Sequence, residues 1–387
     1  MTLFKNQKVR GVLLQGLYAA ALVMIVVVGT TVTHENLRRQ GIISNFDFLW
    51  KSTGWEMPFS LLPVTTHDPY WWYLLIGFLN TLFLGVVSLA FATVVGFLVG
   101  FARISPSKAM RLMGTIYVEV FRNIPLIVQV FFWYSIANTL PPPRQALHFL
   151  GAIISNRGLY LPGFNVAGMN ILVFFLLLAA AVVWVLYFVG ARRFRKVEPA
   201  QRIRVVLASL AAAGVIGTLV LIAGHPAETP FLTVPILKGL NVTGGYRIQP
   251  EVYAIIVAIA IYGGAYIGEI VRGGFKAVGH GQQEAGQSLG LSSWQVFSRV
   301  RFPLALRSML PILANQYVWL MKATTLGIVV GYSDFFMVVV GSITHSGQTL
   351  EFIAILMAGF LLINLTLAKI FNTFNEAIAL KGHQLRS

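Results

Sequence analysis

The chain has 387 residues, 57% of them hydrophobic and only 11% charged, with a mean hydropathy of +0.74 and a formal net charge of +16. Soluble domains carry about 25% charged residues, so this depletion excludes a soluble globular protein and points to an integral membrane protein. The absence of cysteine excludes disulfides, thiol catalysis and thiolate metal sites.

Long apolar runs without strand alternation are helices, because in lipid each backbone polar group must pair within its own segment. Eight spans are predicted, near 11–33, 72–102, 113–140, 168–190, 204–224, 251–272, 306–330 and 351–372. The first follows Lys5, Lys8 and Arg10. It is longer than a signal-peptide core of about 7–15 residues and lacks a small-residue cleavage site, so it reads as a retained span. Trp71, Trp72 and Tyr73 suit an aromatic belt at the membrane interface. Pro141, Pro142 and Pro143 end the third span. The fourth and fifth spans form a plain hairpin rich in Ala, Val and Leu, suited to face lipid or a partner. The segment 332–350, with Gly341 and Gly347, is apolar but short, and reads as a partial or interfacial helix.

Twenty of the 29 Lys and Arg residues fall on one side of this layout and seven on the other. The richer side includes Arg103, Lys108 and Arg111; Arg192, Arg193, Arg195 and Lys196; and Lys381 and Arg386. This asymmetry places both termini in the cytoplasm. The same cations sit in short loops beside lipid headgroups rather than on a solvated basic face, so nucleic acid is not an expected partner. The chain divides into a tail, span and outer loop (1–70), a first core part (71–140), outer loops with the inserted hairpin (141–250), a second core part (251–375) and a tail (376–387).

The segment 279–311, GHGQQEAGQSLGLSSWQVFSRVRFPLALRSMLP, carries the strongest local pattern. Residues 283–289 form a short helix, and Gly290 supplies the left-handed residue that ends it. Ser292 with Gln295 makes a capping box for a second helix. Val296, Phe297 and Val300 share one apolar face of that helix, and Pro303 is expected to end it. An apolar-faced helix at this place suits insertion into a groove on a soluble partner.

The same segment resembles the EAA loop of ABC importer permeases. Glu284-Ala285-Gly286, three residues, Gly290, nine residues and Val300-Arg301-Phe302-Pro303 keep that motif's spacing, with Gly286, Val300 and Phe302 as small or apolar replacements. The segments 264–274, 302–307 and 117–126, with Asn315-Gln316, resemble polar amino-acid permeases, and the overall design resembles the paired permeases of general L-amino-acid importers. Family members often carry Lys-Asp-Thr-Ser-Leu where this chain has Lys322-Ala323-Thr324-Thr325-Leu326.

The resemblance implies an all-α type I importer permease, with a five-helix core plus an N-terminal span and an inserted hairpin, in the bacterial inner membrane. It implies ATPase coupling through Glu284, Ala285, Gly286, Ser288, Leu289 and Gly290 within the loop 279–303. The implied partners are an ATPase dimer that holds ATP and Mg, a second similar permease and a periplasmic amino-acid-binding protein. The implied cargo is an L-amino acid, with membrane lipid as solvent. No cofactor is expected on this chain. It has no G-x-x-x-x-G-K-[ST] phosphate loop, its seven histidines are scattered without metal-ligand spacing, and no nucleophile–base pairing marks a hydrolase.

Charges within spans are expensive and face the interior or water. Lys322, Thr324 and Asn315 are candidate pathway residues, as is Asn80, with packing as the alternative for Asn80 and an ion pair to Glu119 as one alternative for Lys322. Glu269 and Arg272 are a candidate gate or a structural i, i+3 pair. Arg122 is expected to snorkel near the inner interface. Gly96 with Gly100, and Gly264 with Gly268, permit close helix contact. The rival function is an ion-coupled secondary transporter, which needs an intramembrane acidic relay or paired broken helices.

Overall fold

The computed structural model describes residues 7–39, 45–190 and 199–378. Lys5, the cations at 192, 193, 195 and 196, and the tail with Lys381 and Arg386 lie outside the described residues. In chain order the helices are α1 (Gln7–Arg39), α2 (Tyr70–Ile104), α3 (Lys108–Asn123), α4 (Leu126–Thr139), α5 (Gly168–Gly190) and α6 (Pro199–Ala223). They continue with α7 (Pro250–Ala277), α8 (His280–Ser288), α9 (Ser293–Val296), α10 (Phe302–Ala323), α11 (Phe335–Ser346) and α12 (Thr349–Ile378).

Among the described residues, α2, 203–223 of α6, α7 and 349–373 of α12 are each long and apolar enough to cross a membrane. Two bent pairs, α3 with α4 and the helical run 293–330 with α11, bring the number to six if each counts as one span. The remaining two of the eight expected spans are α1 and α5, whose described apolar stretches are shorter, 13–29 and 168–178.

Four glycines decide how the core closes. On α2, a methyl group added to Gly96 would lie 2.4 Å from Ile267, and one added to Gly100 would lie 2.5 Å from Val271. On α7, methyl groups added to Gly264 and Gly268 would lie 2.6 Å from Val95 and 2.9 Å from Val99. Both partners advance by four residues together, so α2 and α7 run parallel with each glycine pair receiving the other helix's branched side chains. Small residues at such spacing let backbones approach within lipid. Leu84, Ile255, Ile259, Met309 and Leu320 fill the core that α2, α7 and α10 share.

The third span is not one helix. The chain bends by 103° between α3 and α4. Pro125 has no N–H and drives Ile124 into an extended conformation, φ −92° and ψ 123°. The freed carbonyls are not left bare: buried Gln129 donates through Nε2 to Phe121 O at 3.0 Å and Ile124 O at 3.1 Å.

The loops at the far end are also more ordered than turn residues alone suggest. Strands β1 (Leu147–Phe149), β2 (Ala152–Ser155), β3 (Gly158–Leu161), β4 (Gly163–Phe164), β5 (Leu232–Thr233), β6 (Ile236–Lys238), β7 (Asn241–Thr243) and β8 (Tyr246–Ile248) build a small cap. Its main sheet has the order β1-β2-β3-β8, all antiparallel, with Leu159 opposite Ile248. The turn of the first hairpin places Leu150 at φ 47° and Gly151 at φ 79°, the pair of positive values that a two-residue hairpin turn uses. The spans are helical as expected, and this cap is the addition to an otherwise all-α fold.

Tyr73 does not stand in an aromatic belt. It is buried, and its hydroxyl donates to Trp55 O at 2.6 Å, tying the loop 45–69 onto α2. Trp71 remains 39% exposed. Segment 332–350 is a short helix, as expected: α11 has 12 residues, is capped by the Asp334 carboxylate on Met337 N at 2.8 Å, and packs on α2 and α12.

Candidate coupling element and solute pathway

The α8–α9 element forms as its residues dictate. Gly290 takes φ +77°, and Leu291 N–H reaches back to Gly286 O at 3.2 Å while Gly290 N–H reaches Gln287 O at 2.9 Å. These two bonds satisfy the last carbonyls of α8. Ser292 Oγ accepts from Gln295 N and Gln295 Oε1 accepts from Ser292 N, a complete capping box. Gly286 is buried against Val296, whose Cγ2 would stand 3.1 Å from an added methyl. The glycine that lowers helix propensity by about 1 kcal/mol thus permits the two short helices to touch.

Two expectations for this element are corrected. Val296 is buried and Phe297 stacks on Phe275 at 5.7 Å with rings 1° from parallel, so the apolar face turns toward the chain's own core rather than outward. What projects instead is Leu289, 81% exposed, and Trp294, 71% exposed, beside exposed Glu284, Ala285 and Ser288. Pro303 does not end the helix either. It occupies the first turn of α10, and the five residues Phe297–Arg301 widen into a π turn, with Phe302 N–H bonded to Phe297 O. A proline lacks the donor and crowds the preceding turn, and a π bulge absorbs that misfit without breaking the rod.

Glu269 and Arg272 pair as expected, with Arg272 Nε on Glu269 Oε2 at 3.0 Å. The structure adds Arg103 from the end of α2, whose Nη1 bonds the same carboxylate. Arg103 has a side chain only 9% exposed. The sequence contains its signal in the glycine pairs, since parallel α2 and α7 in that register bring their last turns side by side.

Along α10, Ser308, Ile312, Asn315, Trp319 and Lys322 recur at three- and four-residue steps and are all exposed. Asn315 and Lys322 are therefore brought onto one stripe. Among the described residues Lys322 makes no ion pair with Glu119. Thr324 is not on the stripe: it is buried and its hydroxyl donates to Met321 O at 2.8 Å. Asn80 is not there either. Fully buried, it accepts from Leu61 N at 3.2 Å and donates to Ser333 O at 2.7 Å and Phe59 O at 3.2 Å. It knots the loop 45–69 to the turn before α11, which is the packing alternative.

Trp319 continues the stripe into aromatic rings. It stacks on Tyr262 at 5.5 Å, Tyr262 lies 4.9 Å from Tyr266, and the Arg122 guanidinium sits over the Tyr266 ring at 5.1 Å. Arg122 lies in the last turn of α3, about 20 Å along the axis from Lys108. Its side chain is exposed, and the cation–π contact it makes is worth ~0.5–1 kcal/mol there.

This arrangement is that of a polytopic membrane permease, with a projecting helix–turn–helix at one end and a polar and aromatic stripe on the helix that continues from it. Residues 92–379 match the family of binding-protein-dependent transport system inner membrane components, and the chain belongs to that family. It is 37% identical over 385 residues to YhdX of Escherichia coli (strain K12), named as an amino-acid ABC transporter permease, covering 97% of this chain and 96% of YhdX. It is 33% identical to the general L-amino acid transport system permease protein AapQ of Rhizobium johnstonii, over 95% and 92% of the two chains. It is 30% identical to the glutamate/glutamine/aspartate/asparagine transport system permease protein BztB of Rhodobacter capsulatus, over 90% and 88%.

Proposed function

We propose that this chain is the membrane-spanning subunit of an ATP-driven importer of L-amino acids, with the acidic amino acids and their amides as candidate cargo. The observation that carries this reading is the α8–α9 element, which projects Leu289 and Trp294 and runs on through the π turn into α10 without a break. ATP and Mg belong to a separate ATPase that docks on residues 284–294 and moves α10 as it closes. Asn315, Lys322, Trp319 and Arg122 form the solute path, the two cations meeting the substrate carboxylate. Glu269, Arg103 and Arg272 lock the end of that path nearest the coupling element.

The basic end faces the cytoplasm and the β cap faces the periplasm, where a binding protein delivers the solute. The second permease is a similar chain rather than a copy. In support, this chain is also 30% identical over 119 residues to BztC of the same Rhodobacter capsulatus system as BztB, and 29% over 181 residues to YhdY of the organism that has YhdX. The ion-coupled alternative would draw on Glu269 as an acidic group, but among the described residues that carboxylate is already held by Arg103 and Arg272.

The test is uptake of labelled glutamate and glutamine into proteoliposomes holding the chain with its co-purifying subunits. Uptake that requires ATP inside and the binding protein outside supports the reading. Uptake driven by an ion gradient without ATP overturns it.

A further inference from the structure

At the basic end, α2, α3, α7, the start of α8 and the π turn border an open recess of about 820 Å³. Six cationic side chains line it: Arg103, Lys108, Arg111, Arg272, Lys276 and Arg301. Among the described residues no carboxylate lines it, and Glu269 is engaged only with Arg103 and Arg272. Cations that merely set sidedness have no reason to converge from four separate elements, because like charges gathered in one recess repel. Two of them are fixed in place. Arg111 donates through Nη1 to Ser105 O at 3.1 Å and Pro106 O at 3.4 Å. Half-buried Arg103 is held by Glu269 through Nη1, while its Nε–H has no acceptor among the described residues.

We infer that this recess binds the phosphate headgroup of an anionic phospholipid. The apolar side of the site argues for a lipid over a free phosphate. Leu112 lines the cavity, and from it Leu112, Ile116 and Val120 climb α3 at four-residue steps, exposed by 61%, 53% and 44%. This stripe gives an acyl chain a track that begins where the headgroup sits. The site stands on its own geometry; only the choice of the cytoplasmic leaflet rests on the orientation proposed above. A lipid held there wedges α3 against the last turn of α7, next to the coupling element, so its occupancy tunes the assembly without entering the solute path.

The test is native mass spectrometry of the full chain in mild detergent, titrated with phosphatidylglycerol and with phosphatidylcholine of the same acyl chains. Phosphatidylglycerol is retained and phosphatidylcholine is not. The double variant Lys108→Gln/Lys276→Gln, both exposed positions, weakens retention about thirtyfold, from the usual contribution of two basic residues near an anionic headgroup. Lys108→Arg/Lys276→Arg restores it, which separates charge from folding. Arg204→Gln/Lys369→Gln, equal in charge but outside the cavity, leaves it within about twofold. Equal weakening by both Gln pairs would reduce the effect to diffuse attraction and overturn the site. Displacement by excess inorganic phosphate would overturn the lipid assignment in favour of a soluble anion. Loss of bound lipid on adding the ATPase subunit would overturn it in favour of an acidic protein surface. None of these readouts involves transport.

Discussion

Replacing Leu289 and Trp294 by alanine removes the two large apolar side chains that the coupling element holds away from the chain, at 81% and 71% exposure. An aromatic side chain buries roughly 150–250 Å², so Trp294 has on the order of 140 Å² left to bury against a partner, worth ~3.5 kcal/mol at ~25 cal/mol per Å². Leu289 adds ~2 kcal/mol on the same scale. Association offsets part of this through side-chain ordering and incomplete burial. A net loss of ~2–3 kcal/mol, or about 30- to 150-fold in Kd, is therefore expected. The chain itself should be nearly unaffected. Leu289 touches little, and the Trp294 stack on Phe297 at 5.7 Å is worth ~1 kcal/mol at most. The assay is titration of the permease in nanodiscs with fluorescently labelled ATPase subunit, with Tm recorded for each variant. Val296→Ala is the contrast: it faces inward, so it should lower Tm before it alters Kd. A double variant with unchanged Tm and a Kd within about twofold of the parent would refute the assignment of this surface.

The remaining predictions concern the core and the path. Gly96→Ala places a methyl 2.4 Å from Ile267 Cγ2 and should destabilise by ~1–3 kcal/mol, read as a lower Tm in detergent and partly restored by Ile267→Ala. Glu269→Gln leaves Arg103 and Arg272 without their counter-charge. Glu269 retains 29% exposure, so we expect the low end of the range for a broken buried pair, ~3 kcal/mol, by thermal unfolding. The double change Glu269→Gln/Arg103→Met should recover much of it; no recovery would show that the triad is not coupled. Lys322→Met should lower the initial rate of amino-acid uptake about tenfold, the value of one charge-assisted contact, while leaving Tm and ATPase association unchanged. Full uptake by this variant would remove Lys322 from the path.

What the sequence makes legible is whatever depends on neighbours along the chain. The turn at Gly290, the capping box from Ser292 and the pairing of Glu269 with Arg272 are all set within four residues, and each forms as read. The break at Ile124 escapes notice because Pro125 alone is ambiguous within a span, although Glu119, Arg122 and Asn123 make the α3 side of it markedly more polar than α4. The deciding group is Gln129, whose side chain makes the bend tolerable in lipid by taking two orphaned carbonyls. Asn80 looks like any polar residue in a span until the loop 45–69 and the turn at Ser333 arrive around it. The outward and inward faces of α9 were exchanged for a related reason. A helix of four residues has no face of its own to bury, and the aromatic cluster of Phe101, Phe275 and Phe302 claims Phe297 from the distant side. The β cap, made of strands two to four residues long, is too short for alternation to register.

The π turn at Phe297–Arg301 gives the long helix a mechanical character. Below it lies α9 with Trp294; above it, α10 runs about 30 Å to Lys322 at 1.5 Å per residue. The five-residue widened turn is a compliant point at the base of this helix, with Pro311 a second one within α10, so it serves as a fulcrum. A tilt of about 10° there carries the far end through ~5 Å, the scale of one helical turn. The tight seam between α2 and α7 cannot follow such a swing without opening. On the coupling proposed above, motion at the end bearing α8 and α9 would shear α10 past the paired α2 and α7, and the residues on its exposed stripe would change depth together.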